Sequence, residues 1–339
     1  MKQNRITPVM SSFVTLASHD LPFDPSQWAR LESAIAPGKM IKVDTADNDA
    51  VAVALAEAEV AILKGDLDAR FLSAPYLRWI HCDHAGLTKS ATPEVFEKGL
   101  TVTGSAGRSG PALAEHAMMF ALLLCSGYRD FYEAQKRHEW RRVPEMANLR
   151  ALSGRTMGII GMGHTGKALA VRAKAFNMNV LGYRRRDEET PEGVDRMYCS
   201  DRGEGIDEIL EQADIVALVI NLSDATHHMI GAKQLAKMKK SAVLINLSRG
   251  PVVDQAALID ALENGGIAGA GLDVTTPEPL PEGHKLWDMP NVLITPHFTA
   301  SLPDRSERSL KMILDNLQRY RAGESMLNQI SQEDLWSKS

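Results

Sequence analysis

Short apolar runs alternate along most of the chain with segments in which apolar residues recur at helical spacing. The runs predict buried strands, because they are roughly four to eight residues long and end in polar or glycine-containing turns. These predicted strands lie at 9–16, 60–63, 77–82, 100–103, 157–160, 179–183, 215–220, 242–247, 268–274 and 291–295. Helices are predicted at 26–35 (capped by Ser26), 51–58, 67–74, 92–98, 111–124, 167–176, 206–211, 232–238, 255–263 and 305–322. Strands that alternate with helices predict an α/β protein with parallel sheets covered by helices.

The alternation falls into two sets, separated by the strongly apolar helix predicted at 111–124. A chain of 339 residues has room for about two domains. We therefore predict two doubly wound parallel-sheet domains, with this helix as the connector between them. The charged and aromatic stretch at 128–150 that follows is expected to be exposed or to face another subunit.

Composition excludes several classes of function. The net charge of −5 gives no reason to expect a nucleic acid or an anionic membrane as partner. Cys82, Cys125 and Cys199 are too far apart for a zinc pattern or a disulfide framework, and we expect buried thiols in a reducing compartment. The first residues have no signal-peptide hydrophobic region, and the apolar run at 117–125 is too short to span a bilayer. The expected location is the cytoplasm.

A G-x-G-x-x-G pattern lies between the strand predicted at 157–160 and the following helix. It runs Gly161-Met162-Gly163-His164-Thr165-Gly166, and a second strand follows the helix. In this strand–turn–helix–strand setting the pattern is typical of dinucleotide binding, although an ordinary glycine turn is the alternative. Gly161 permits a tight turn, Gly163 lets the backbone approach a pyrophosphate, and Gly166 lets the helix pack close to the strand. The helix N-terminus then offers N–H groups to the phosphates.

The residues after the second strand of this unit indicate which dinucleotide binds. An acidic side chain there would hold the ribose 2′-hydroxyl of NAD, whereas arginine suits the 2′-phosphate of NADP. The sequence has Arg184, Arg185 and Arg186, followed by Asp187. We therefore expect NADP as the cofactor. NAD is the alternative, if the arginines form a solvated turn and Asp187 takes the ribose.

Three polar segments that follow predicted strands contain Arg249, Glu278 and His297. Strand carboxyl ends line the ligand crevice of an open parallel sheet, so we expect these side chains near the nicotinamide. A guanidinium can clamp a carboxylate and polarise the adjacent carbonyl. A histidine can give a proton to an alkoxide as a hydride arrives, and a paired carboxylate orients its ring. The trio predicts interconversion of 2-keto and 2-hydroxy acids, although each residue taken alone is better explained by an ion pair, a solvated loop or a core histidine.

These segments resemble those of the D-isomer-specific 2-hydroxyacid dehydrogenases. The matching stretches are AEHA (114–117), GMGHTGKALA (161–170), ADIVALVINLSDATHHMI (213–230), MKKSAVLINLSRGPVVD (238–254), AGAGLDVTTPEPLP (268–281) and LWDMPNVLITPHFTAS (286–301). The match is dense from about 110 to 301 and loose in the N-terminal third. By resemblance, Arg249 binds the substrate, Glu278 is the partner of His297, and His297 is the acid/base. Asp273 is implied to contact the nicotinamide carboxamide.

The resemblance also implies an architecture. It implies a Rossmann-type coenzyme domain at 108–298 and a flavodoxin-like substrate domain built from 1–107 and 299–339. The active site would lie in the cleft between them, and the assembly would be a homodimer formed through the coenzyme domains. The substrate-carboxylate loop corresponds to 81–88, where Ala85, Gly86 and Leu87 suit a backbone nest and Thr88 replaces the usual aspartate.

His81 and His84 stand where substrate selectivity could be set, and they could also be mistaken for metal ligands. Because no further Cys or His is near, we expect no metal site. The sequence thus predicts an NADP-preferring reductase of small 2-keto acids such as glyoxylate or hydroxypyruvate. One alternative is a dinucleotide-sensing binding protein resembling the C-terminal binding protein corepressors, which would carry a disordered or peptide-binding extension. A formate or phosphoglycerate dehydrogenase relative is the other. The exact keto acid, the direction in the cell and the role of Trp140 are not fixed by the sequence.

Overall fold

The computed structural model describes residues 12–140, 149–299 and 301–337, and the chain divides into two compact units. Unit 1 comprises the residues up to Arg108 together with those from Leu302, and unit 2 comprises Ser109–Ser301. Each unit holds one sheet, and the strands within both sheets pair in parallel. The predicted α/β class with two doubly wound parallel sheets is confirmed.

Unit 1 has a five-stranded sheet with the order β2-β1-β3-β4-β5, the flavodoxin-like order. Its strands are β1 (Val14–Ser18), β2 (Lys39–Val43), β3 (Val60–Leu63), β4 (Trp79–Cys82) and β5 (Thr101–Gly104). Its helices are α1 (Pro25–Ile35), α2 (Asn48–Leu55), α3 (Ala69–Leu72), α4 (Pro93–Glu97) and, at the other end of the chain, α11 (Arg305–Ala322). β3 is wholly apolar and buried, as expected for a strand covered on both faces.

Two local predictions in unit 1 were wrong. The strand β2 was missed because Lys39 and Lys42 interrupt its apolar residues, a composition typical of an edge strand. Helix α1 is capped by Asp24 and not by Ser26, because the Asp24 carboxylate accepts the Gln27 amide at 2.9 Å. The predicted strand at 9–16 lies partly outside the described residues.

Unit 2 has a seven-stranded sheet with the order β12-β11-β10-β9-β6-β7-β8. Its strands are β6 (Thr156–Ile160), β7 (Asn179–Arg184), β8 (Arg196–Cys199), β9 (Ile215–Leu218), β10 (Val243–Asn246), β11 (Gly269–Leu272) and β12 (Val292–Ile294). Its helices are α5 (Gly110–Cys125), α6 (Tyr128–Lys136), α7 (His164–Ala175), α8 (Asp207–Gln212), α9 (Ala232–Lys237) and α10 (Gln255–Glu263). The chain reverses its winding between β6 and β9, so the crevice where such sheets bind ligands opens beside the end of β6.

The long apolar helix α5 belongs to unit 2 and packs on its sheet. A Cβ at Gly271 of β11 would lie 2.6 Å from the ring of Phe120, so this strand needs glycine where the helix crosses it. Among the described residues, no single helix is long and apolar enough to cross a bilayer. The consecutive helices α5 and α6 meet that length and composition only as a pair, bent by 68°.

Three elements of unit 2, namely β8, α7 and α6, differ from the sequence prediction. Strand β8 was missed, because its four residues carry a polar start and form the sheet edge. Helix α7 begins at His164, three residues before the predicted start, so its first turn includes part of the glycine pattern. Of the stretch at 128–150, residues 128–136 form α6, and 141–148 lie outside the described residues.

Candidate active site

The glycine turn follows β6 directly and joins it to α7. Gly161 has φ +107, and its amide donates to the carbonyl of Tyr183 at 2.9 Å, which fixes the turn against β7. A Cβ at Gly166 would lie 2.1 Å from the Gly161 carbonyl oxygen, so the helix can approach the strand only with glycine there. A Cβ at Gly163, in contrast, would meet nothing within 4 Å. The turn therefore uses two glycines for its own packing and leaves open space at the third.

That open space suits a dinucleotide pyrophosphate. Among the described residues no side chain caps the N-terminus of α7, which begins directly after Gly163. Uncapped helix amides and the positive end of the helix dipole bind phosphate oxygens. The residues present thus fit the diphosphate of a nicotinamide dinucleotide.

The basic turn, residues Arg184 to Asp187, begins at the end of β7. The side chain of Arg184 is 8% exposed. Its guanidinium donates to the backbone carbonyls of Glu188 and Glu189, the latter at 3.0 Å. Arg184 therefore folds back onto its own loop, whereas Arg185 and Arg186 are exposed. The carbonyl of Arg185 accepts the amide of Asp201 and the thiol of Cys199, both at 3.0 Å.

Arg249, Glu278 and His297 follow three strands that are neighbours in the sheet, β10, β11 and β12. Nδ1 of His297 lies 2.8 Å from Oε2 of Glu278. The other oxygen of Glu278 accepts the backbone amide of Thr275 at 3.0 Å, which orients the carboxylate. The side chains of His297 and Glu278 are 47% and 36% exposed, so the pair is accessible.

The loop that carries Arg249 packs backbone to backbone against the loop that carries Glu278. A Cβ at Gly250 would lie 2.0 Å from the carbonyl oxygen of Thr275, so only glycine permits this approach. Asn246 at the end of β10 braces the loop, since its amide group accepts the Ser248 amide at 3.0 Å and donates to the Arg249 carbonyl at 3.2 Å. The sheet thus places the arginine loop next to the His297–Glu278 pair.

A buried polar chain supports the segment that carries His297. The backbone of His297 has φ +50, a left-handed conformation that is uncommon for a side chain of this kind. On either side of it, the hydroxyl of Thr295 and the amide of Phe298 donate to Oδ1 of the buried Asp273, at 2.5 Å and 3.0 Å. The Thr295 hydroxyl also lies 3.0 Å from Nε2 of His116. Burial lowers the pKa of His116, and the negative charge of Asp273 opposes this shift.

Sequence reasoning gave Asp273 a cofactor contact and did not assign Thr295 or His116 any role in the site. In the structure, Asp273 anchors both ends of the His297 turn. The signal in the sequence was His116 itself, which together with Glu115 interrupts a strongly apolar helix. Its partner, 179 residues away in the chain, is fixed by the fold.

In unit 1, the predicted carboxylate loop follows β4. Gly86 has φ +77, Ala85 is exposed, and Leu87 is buried. His81 is fully buried and does not reach this surface: its two ring nitrogens lie 3.0 Å from the hydroxyls of Thr103 and Ser105. Burial lowers the pKa of His81 to about 4, and the charge of Arg108 lowers it further while that of Asp83 opposes the shift.

His84 is partly exposed, and its Nε2 lies 3.5 Å from Asp66. Within residues 12–140, 149–299 and 301–337, no group of three His, Cys, Asp or Glu side chains is placed to hold a metal ion. Trp140 is fully exposed, and the indole of Trp287 donates to the carbonyl of Pro281 at 3.0 Å.

A glycine turn at the switch point of a doubly wound sheet, with a histidine–carboxylate pair on neighbouring strand ends, defines a dinucleotide-dependent oxidoreductase. Residues 118–299 match the family model of the D-isomer specific 2-hydroxyacid dehydrogenase NAD binding domain. The chain is 37% identical over 285 residues to a glyoxylate reductase from Korarchaeum cryptofilum, and the aligned region covers 82% of this chain and 83% of that protein. The chain belongs to the D-isomer specific 2-hydroxyacid dehydrogenase family, as predicted.

Solved structures give the same result. A D-isomer specific 2-hydroxyacid dehydrogenase from Xanthobacter autotrophicus Py2, in complex with NADPH and MES, superposes with a TM-score of 0.77 at 28% identity, over 94% of this chain and 98% of that one. An NADPH-dependent glyoxylate/hydroxypyruvate reductase from Sinorhizobium meliloti, in complex with NADP and sulfate, superposes with a TM-score of 0.76 at 26% identity, over 95% and 98%. The predicted class of reaction, hydride transfer between a nicotinamide dinucleotide and a 2-keto acid, is confirmed with the family.

Proposed function

We propose that this protein reduces small 2-keto acids of the glyoxylate and hydroxypyruvate type with NADPH. The observation that carries the proposal is the His297–Glu278 pair, whose atoms lie 2.8 Å apart. His297 follows β12, and the Arg249 loop follows β10, two strands away in the same sheet. The open glycine turn follows β6 of that sheet. The names of the relatives support the substrate class, since they are reductases of glyoxylate and hydroxypyruvate.

The residues of unit 2 supply proton transfer and charge. When bound, the nicotinamide supplies the hydride. Because Nδ1 of His297 faces Glu278, Nε2 is the nitrogen that delivers the proton to the developing alkoxide. The Glu278 carboxylate stabilises the imidazolium that this task requires. Arg249 binds the substrate carboxylate and polarises the neighbouring carbonyl, a role that suits a planar guanidinium. In unit 1, the backbone of Ala85, Gly86 and Leu87 is proposed to bind carboxylate oxygens.

NADP is the proposed cofactor, through Arg185 and Arg186. Arg184 is occupied by two backbone carbonyls of its own loop, so it acts as a brace for the turn. Its two neighbours project from the exposed part of the same turn, where the 2′-phosphate of NADP would lie after the second strand of the unit. The variant R184D would bury a carboxylate against carbonyl oxygens, so R185S and R186S are the cleaner tests.

A homodimer is proposed from an exposed apolar surface on unit 2. This surface lies on α5, α6 and the end of α7, and consists of Met119, Leu122, Tyr128, Phe131, Tyr132 and Phe176. Exposed apolar surface of this kind is typical of subunit interfaces. Light scattering of the purified protein measures the mass directly, and a monomer would contradict the proposal. A cytoplasmic location stays a prediction.

The decisive experiment is a substrate panel with both cofactors. Purified protein is mixed with NADPH or NADH and with glyoxylate, hydroxypyruvate, pyruvate or a bulkier 2-keto acid, and oxidation is followed at the nicotinamide absorbance. We expect turnover of the two smallest substrates, with the higher kcat/KM for NADPH. Binding of dinucleotide without turnover of any keto acid would favour the corepressor-like alternative, which no observation favours now.

A further inference from the structure

The basic turn also contains an acid, and a neighbouring arginine holds it. Asp187 is the first acidic residue after β7, and its Oδ1 lies 2.7 Å from Nη1 of Arg202. Arg202 ends the 3-10 turn Ser200–Arg202, which follows β8 directly. The ion pair therefore joins the turn after β7 to the turn after β8.

We infer that Arg202 determines cofactor selectivity by withdrawing Asp187 from the ribose site. The inference rests on the proposed binding of a dinucleotide at this turn and adds a specificity-determining residue to it. The arginines alone do not make the turn selective, because an available carboxylate beside them would accept the 2′-hydroxyl of NAD and repel the 2′-phosphate of NADP. Pairing with Arg202 occupies a carboxylate oxygen of Asp187 and holds this carboxylate against the turn after β8.

An isolated surface ion pair would be too weak for this role, since such pairs contribute roughly 0–1 kcal/mol. Arg202, however, is fixed by contacts other than Asp187. Its Nη2 donates to the carbonyl of Met197 at 2.8 Å and to Glu204 at 2.8 Å, and its Nε donates to Glu204 at 3.1 Å. Glu204 is fixed in turn, because it accepts the amide of Cys199 at 2.7 Å. The guanidinium is therefore held in place before Asp187 pairs with it, and little side-chain entropy is lost in the pairing.

The backbone of the basic turn is also hydrogen-bonded to residues at and just after the end of β8. The amide of Asp201, the residue before Arg202, donates to the Arg185 carbonyl at 3.0 Å, and so does the Cys199 thiol. On the other side of the turn, Glu188 lies 3.5 Å from the buried Arg184. Asp187 and Glu188 thus pair with Arg202 and Arg184.

The test is a double-mutant cycle with R202M, D187N and R202M/D187N. Kd for NADPH and for NADH is measured by fluorescence titration of each purified variant. R202M releases the carboxylate, so we expect the ratio of NADPH to NADH affinity to fall by about fivefold to tenfold. D187N alone should change this ratio by less than about twofold, because Arg202 already holds this carboxylate away from the ribose. In the double variant the ratio should return to the wild-type value.

R196M is the matched control. Arg196 lies at the start of β8 and pairs with Glu208 at 3.1 Å, so its removal deletes an exposed arginine of the same region without releasing Asp187. We expect no change in the cofactor ratio.

Two results would overturn the inference. An equal loss of NADPH and NADH binding in R202M would indicate that Arg202 only supports the fold of the turn. A shift in R202M that D187N does not reverse would show that the Asp187 charge is not the cause. The wild-type preference and the keto-acid panel test the proposed function separately, because the predicted coupling concerns the change in ratio and not its starting value.

Discussion

Glu278 contacts His297 with one carboxylate oxygen, at 2.8 Å from Nδ1, and accepts the Thr275 amide with the other, at 3.0 Å. The imidazole is therefore oriented by a group that is itself fixed to the backbone. A hydrogen-bonded pair of this kind, held at strand ends, can deliver a proton without reorganising first.

Loss of His297 should remove proton transfer and leave cofactor binding intact. We expect H297A to lower kcat by roughly 10²- to 10⁴-fold, because general acid catalysis contributes about this much. The Kd for NADPH, measured by fluorescence titration, should change by less than about threefold. A parallel loss of cofactor affinity would point to a structural role for this histidine.

The carboxylate of Glu278 should contribute through its charge. E278Q keeps the size and one acceptor oxygen but removes the anion that stabilises the imidazolium, so we expect kcat to fall by about tenfold to a hundredfold. E282Q is the control, since Glu282 is an exposed acid of the same loop. Full activity of E278Q would show that turnover does not need the negative charge of Glu278.

Two glycines of the same turn should respond in opposite ways to alanine. In G166A the new methyl group would lie 2.1 Å from a backbone oxygen, so we expect a loss of about 1–3 kcal/mol in unfolding free energy. In G163A the methyl group enters open space, so stability should stay within about 1 kcal/mol of wild type. Cofactor affinity should nevertheless fall in G163A, because that space is where the pyrophosphate would lie. Denaturant titration and NADPH binding measure both, and unchanged binding by G163A would contradict a diphosphate site here.

The Thr295 hydroxyl should matter for turnover more than for folding. It joins His116 to Asp273 and lies two residues before the strained His297 backbone. We expect T295V to lower kcat by about tenfold with little change in the KM for NADPH, because the catalytic geometry is loosened. T295S keeps the hydroxyl and should restore activity. If T295S is as impaired as T295V, the methyl packing and not the hydrogen bonds is responsible.

The buried His81 should make stability depend on pH. Its folded pKa of about 4 lies below the ordinary value of 6.5, so the unfolded chain binds the proton first. Stability should therefore fall as the pH drops below about 6.5, and this contribution should level off below about pH 4, at a loss on the order of 3 kcal/mol. Urea titrations between pH 8 and pH 4 measure the slope. H81N should be less stable at pH 8 but show a flatter slope, and an unchanged slope would assign the effect to other groups.

Much of the architecture could be predicted from local pattern. Apolar runs such as Val60–Leu63 and the glycine turn after β6 are determined by neighbouring residues, because strand burial and tight turns impose their constraints over a few positions. The strands β2 and β8 lie at sheet edges and were missed because an edge strand needs less apolar surface, so its local sequence pattern is weak. Which residues act in catalysis stays a prediction until the variants above are measured.

The sequence by itself determined the alternation of strands and helices, the glycine turn, and the presence of an arginine, a glutamate and a histidine behind successive strands. Only the tertiary structure decided what those groups touch. It turned Arg184 inward and placed Arg202 against Asp187, it buried His81 between two hydroxyls, and it brought His116 to Thr295. The physical reason is that periodicity records which face of an element is buried. The partner of a polar side chain depends on which strand ends the fold places side by side.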